Sequence, residues 1–204
     1  PGANLTNTVT YTIPSGTNRL LVVAISAGAN LNGALTTAPT VTWGGKSLTA
    51  SSANPSTANR AFSFIFYLKE SDISSASGNS LVVNMGGTTF YGYVEYAAVY
   101  KDVDQTTLVR NAVASANSGT ASNTATVSAN FNAGDQGIFV TGFSTNSTQT
   151  ASYSSVSTNW TGSSTLFGGS NSTSTAGTYY GGIGVRSVTS AATSETASMT
   201  VTSS

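Results

Sequence analysis

Apolar and polar residues alternate with a period of two through most of this chain, and helical periodicity is absent, which predicts an all-β protein. Thr8–Ile13 sets Val9, Tyr11 and Ile13 on one face against threonines on the other, the pattern of a strand with one wet side. Pro14-Ser15-Gly16 turns it. Asn18–Ser26 is too continuously apolar for an edge and predicts a strand covered on both faces. A loop of small residues, Ala27–Ala38, leads to a hairpin over Thr40–Thr49, where Gly44-Gly45 can take the positive φ that a two-residue turn requires. In Ala61–Lys69, Phe62, Phe64, Phe66 and Leu68 share one face, so this is a core strand. A single helical turn is expected at Asp72–Ser75, and a further strand at Ser80–Met85.

The longest apolar run, within Phe90–Asp104, has aromatic and β-branched residues on both faces, and it predicts the central strand of a single two-layer core. Glu95 is its odd residue. Buried charges are nearly always paired, so an ion pair with Lys46, Lys69 or Arg186 is expected, with a role as a ligand-contacting carboxylate the other reading. Beyond Asp104 the chain becomes richer in Ser and Thr, with short strands expected at Thr124–Ala129, Gly137–Phe143, Ala151–Trp160, Tyr179–Arg186 and Thr196–Thr202. These carry too few large apolar residues to fold alone, so one β-sandwich domain is expected over residues 12–204, with 1–11 as an N-terminal strand or donor segment.

Composition narrows the function. The 204 residues hold seven Lys+Arg and seven Asp+Glu, with charged residues only 7% of the chain against about 25% in ordinary soluble domains. The surface must be built from Ser, Thr, Asn and Gly. Nucleic acid and anionic membranes need a basic patch, so neither is expected as a partner. Cysteine and histidine are absent, which removes disulfides, thiolate chemistry and the usual zinc ligands. No run approaches the roughly 18 apolar residues of a membrane span. The chain begins at Pro1, as a mature secreted form would.

Candidate chemistry is sparse. Asp102 and Asp104, with Asp135, offer hard oxygen ligands for Ca²⁺, although the D-x-D-x-D-G spacing of a calcium loop is missing and capping of turns is the competing role. No histidine activates a serine, no G-x-S-x-G elbow occurs, and Glu95 lacks a second carboxylate two or four positions away, so no enzyme activity is expected. Among the aromatics, Trp160, Tyr179 and Tyr180 lie in the most polar surroundings and are the candidates for stacking on sugar rings; Trp43, Tyr91 and Tyr93 are weaker ones. Sequons begin at Asn4, Asn146, Asn159 and Asn171, the candidate glycosylation sites.

The succession NRLLVV, VTWGGKSLT, FIFYL, SLVVNM, a long apolar strand ending in DVDQTT, then AGDQGIFVTG and YYGGIGVRS, resembles a jelly-roll, lectin-like β-sandwich module of large secreted and cell-surface bacterial proteins. The resemblance covers nearly the whole chain and implies adhesion or carbohydrate binding. Modules of this kind continue into an apolar closing strand beyond the segment matching Thr196–Ser203, which this chain lacks. An open groove is costly unless filled, so donation of the N-terminal strand, with Leu5, Val9 and Tyr11 as its inserted residues, is expected between neighbouring copies. Residues 1–11 lying wholly on their own subunit's sheet would sink donation. Head-to-tail donation builds filaments. The expected function is a non-enzymatic, extracellular structural subunit polymerising in this way; the alternative is a carbohydrate-binding or adhesin module.

Overall fold

Every residue from Leu20 to Gly28 is buried, and this strand organises the molecule. The computed structural model describes residues 5–29, 37–51, 61–87, 90–113, 124–144, 153–158, 164–167, 172–174 and 177–203. The elements are β1 (Thr6–Thr10), β2 (Leu20–Ala29), β3 (Thr40–Trp43), β4 (Lys46–Ser47), β5 (Thr49–Ala50), β6 (Ala61–Lys69), α1 (Glu70–Ser74), β7 (Ser80–Asn84), β8 (Phe90–Tyr100), β9 (Thr124–Phe131), β10 (Gln136–Ser144), β11 (Tyr153–Thr158), β12 (Ser164–Phe167), β13 (Ser172–Ser174), β14 (Gly177–Ser187) and β15 (Ala192–Ser203).

They form four antiparallel sheets, ordered β5-β6-β2-β8, β1-β7-β3-β4, β10-β14-β12 with β13 also on β14, and β11-β15-β9. The first sheet is covered on both faces. On one side, Leu21, Val23, Ile25 and Ala27 of β2 and Phe62, Phe64, Phe66 and Leu68 of β6 close a core with Val41, Trp43, Leu81, Val83 and Met85 of the second sheet's region. On the other, β10 and β14 lie against β2, with the Ser26 hydroxyl donating to the Thr141 carbonyl at 2.5 Å. The expected two-layer core is therefore corrected to three layers: β2 is apolar at both parities because it faces two sheets.

The expected central strand is also corrected. Among the described residues β8 bonds to β2 alone and stands at the edge of its sheet. Apolar residues on both faces report stacked layers above and below a strand, and say nothing about how many hydrogen-bonded neighbours it has. A bulge places Ala29 opposite Phe90 and Gly28 opposite Gly92, so Tyr91 is the inserted residue and Phe90 turns into the core beside Tyr93.

The strand expected at Thr196–Thr202 is present. Residues 192–203 form β15 between β11 and β9, an interior position. Over residues 5–11, the described part of the expected donor segment, the strand lies on its own chain's sheet, the outcome that goes against donation: β1 pairs with β7, Thr6 opposite Asn84 through Thr10 opposite Ser80. The short return over residues 11–19 brings this strand back to its own sheet.

Candidate functional site

The site is the groove occupied by β1, between the edge of β7 and the face of β8. Alternation turns Leu5, Asn7, Val9 and Tyr11 toward β8, and Thr6, Thr8 and Thr10 outward, where all three are exposed. Leu5 and Tyr11 pack against the main core, whereas Val9 between them remains 40% exposed. Main-chain bonds fix both ends: Met85 N–H donates to the Leu5 carbonyl at 2.8 Å and Tyr11 N–H to the Asn79 carbonyl at 2.8 Å. These bonds make Leu5, Asn7, Val9 and Tyr11 the hydrogen-bonded positions of the ladder, and leave Thr8 opposite Val82 as a non-hydrogen-bonded pair.

Side chains add three directed contacts. Trp43 Nε1 donates to the Tyr11 carbonyl at 2.7 Å, Tyr11 Oη donates to the Ala97 carbonyl at 3.2 Å, and Asn7 Nδ2 donates to Glu95 Oε2 at 3.1 Å. The last corrects the expected ion pair, because the partner of Glu95 is an amide and not a cation. Burial pushes the Glu95 carboxyl above its ordinary value, against a smaller downward pull from Asn7. Burial, then the Glu95 charge, likewise raises the Tyr93 phenol, and burial followed by the nearby Tyr96 raises that of Tyr11. An amide was missed because nothing in the local pattern joins positions 88 residues apart.

The three aspartates are not brought to one place. Asp102, in a left-handed conformation at φ 56°, accepts from Thr17 Oγ1 at 3.1 Å. Asp104 Oδ1 accepts from the Thr106 amide at 2.8 Å and hydroxyl at 2.6 Å, and these bonds hold its carboxyl below the usual range. Asp135 caps the β9–β10 turn through the Asn132 amide at 2.7 Å and pairs with Arg110 at 3.0 Å. Each serves a turn, and among the described residues no group of three or more acids is arranged to hold a metal. A clamp that the sequence did not signal joins the start of β2 to α1: Arg19 Nε bonds Glu70 Oε2 at 2.9 Å and the Arg19 amide bonds the same oxygen at 2.7 Å. It holds the Glu70 carboxyl down at about 2.

Trp43 is 6% exposed and belongs to the core, so it is not a stacking platform. Trp160 and the sequon residues Asn4, Asn146, Asn159 and Asn171 lie outside the described residues. Tyr179 and Tyr180 are placed only by backbone, opposite Ser144 and Phe143 on β10; their side chains lie outside the described residues. Among the described residues no helix is long and apolar enough to cross a membrane. Comparison with models of protein families, with curated proteins and with solved structures finds no match. The antiparallel sheets agree with a β-sandwich; the finer likeness to a jelly-roll, lectin-like module rests on sequence pattern alone.

Proposed function

We propose that the chain is a non-enzymatic, extracellular structural subunit that assembles with copies of itself by exchanging β1. The observation that carries this reading is the character of β1: a short strand of five residues at the edge of its sheet, bonded among the described residues to β7 alone. Its withdrawal uncovers the β7 edge with Leu81, Val83 and Met85, the same groove that a neighbour's β1 would enter. Exchange of an identical element conserves every contact and alters only connectivity, and a head-to-tail sequence of exchanges need not close. The residues that would act as hinge, Pro14, Ser15 and Gly16, are all exposed. The described charged groups support a structural role as well, since Arg19 with Glu70 and Arg110 with Asp135 fasten one segment to another. A hydroxyl-rich surface with 7% charge suits dense packing of like subunits, which mutual repulsion would otherwise oppose.

The test uses the ladder geometry. Thr8 and Val82 form a non-hydrogen-bonded pair, with Cα atoms about 4.5 Å apart, within disulfide range. The chain has no cysteine of its own to interfere. Thr8→Cys/Val82→Cys protein, assembled under reducing conditions and then oxidised, is expected to give a ladder of covalent multimers on a non-reducing gel. Assemblies that oxidise to monomers alone would refute exchange.

A further inference from the structure

We infer that the Asn7–Glu95 contact is a register key, which makes the groove accept a β1 strand from a second copy of this chain in one alignment only. The inference rests on the exchange reading for the identity of the partner. The inward row of β1 reads Leu5, Asn7, Val9, Tyr11: apolar, amide, apolar, phenol. The main-chain bonds at Leu5 and Tyr11 can be made by any residue, so they fix the strand in the groove without fixing its register. A one-residue slip turns the exposed threonines inward and is opposed by the core itself. A two-residue slip preserves the faces, and side chains must reject it.

In either direction such a slip sets Leu5 or Val9 over Glu95 and carries the Asn7 amide from its place opposite Val83 to one opposite Leu81 or Met85, away from the carboxylate. Both polar groups then lose their partner away from full hydration, which is the expensive half of hydrogen-bond energetics. Tyr11 contributes in the same sense, because a slipped strand presents Val9 or Ile13 where its hydroxyl meets the Ala97 carbonyl. A foreign strand with only an alternating apolar pattern would fill the groove and leave Glu95 without a donor. The site thus selects for a strand that carries an amide two residues before one apolar position and two residues after another, as this chain's own N-terminus does.

The full-length chain tests this directly. Thr8→Cys paired with Val82→Cys traps the native register, and paired with Ser80→Cys or Asn84→Cys it traps the two slipped ones. With Asn7 and Glu95 intact, oxidation should favour the native pair by about tenfold or more. Asn7→Leu should raise the slipped disulfides to a yield comparable with the native one, and Asn7→Leu/Glu95→Leu, which leaves no orphaned carboxyl to impair folding, should do the same. Native register kept in both backgrounds would overturn the key. Whether the disulfides join one chain or two reports on exchange separately, so slippage seen only within single chains upholds the key for the strand's own groove and refutes its selection of a second copy.

Discussion

Glu95→Gln should stabilise the protein at neutral pH and leave it unchanged in acid. The carboxyl is half-buried, with the Asn7 amide as its donor, and burial raises it above the ordinary value of 4.5. The fold therefore prefers neutral Glu95. The stability associated with that preference is complete below the carboxyl's unfolded value and is lost as pH rises through the raised folded value. Glutamine keeps an oxygen for Asn7 and removes the charge, so at pH 7 the variant avoids desolvating a carboxylate. For a half-buried group that keeps one hydrogen-bond donor, the relief is about 1 kcal/mol. In a domain of this size it corresponds to about 2–4 °C in Tm. Thermal unfolding of both proteins from pH 3.5 to 8 should give curves that coincide at the acid end and separate as Glu95 ionises, with the variant higher. Curves separated by a constant amount, or a variant that melts earlier at pH 7, would refute the account of Glu95 as a buried acid.

Arg19→Ala should show the opposite pH profile: a loss of about 1.5–3 kcal/mol at pH 7 that disappears as the pH falls from 4.5 through about 2, where Glu70 protonates, read by urea unfolding across that range. Gly44→Ala should cost more than Gly134→Ala. Both glycines have positive φ, at 53° and 87°, which costs about 1–2 kcal/mol for alanine, but only at Gly44 would the new Cβ also meet Ala76 Cβ at 2.8 Å and the Gly78 carbonyl at 2.9 Å. Equal urea midpoints for the two would show that the hairpin gives way freely. Ser26→Ala should cost about 1–2 kcal/mol by leaving the Thr141 carbonyl without this donor in the seam between two sheets, again read from the urea midpoint.

The parts of the fold legible in the sequence are those set by local rules. Phe62, Phe64, Phe66 and Leu68 declared their face by alternation, and Gly44-Gly45 declared its hairpin because few other residues tolerate φ of 53° and 79° in succession. The continuous apolar run of β2 announced a strand covered on both sides, yet the same cue in β8 was read as a central position in the ladder. Burial pattern reports what lies above and below a strand, whereas ladder order depends on partners distant in the chain, and the sequence does not encode that separately. Strands β12 and β13, built of residues such as Ser164, Thr165, Ser172 and Thr173, gave no signal because their order derives from pairing with β14. At the candidate site, the alternation of β1 was visible and the contact between Asn7 and Glu95 was not. A buried acid demands a partner, but the demand is met as well by an amide as by a cation.

Because the closed chain and the exchanged assembly share the same strand contacts, their balance is set by connectivity. The return segment between β1 and β2 spans only residues 11–19, and a tether of that length presents β1 to its own groove at an effective concentration on the order of millimolar. A neighbour's strand competes only near that concentration, or where additional contacts between subunits favour the assembly. Purified protein diluted well below it should therefore remain closed and monomeric. Light scattering on a concentration series should show growth beginning near the millimolar range. Oxidised Thr8→Cys/Val82→Cys protein, locked in the monomer, should show none at any concentration. Growth of the locked protein at the same threshold as the reduced one would mean that subunits meet through another surface, and that β1 is simply the first strand of its own sheet.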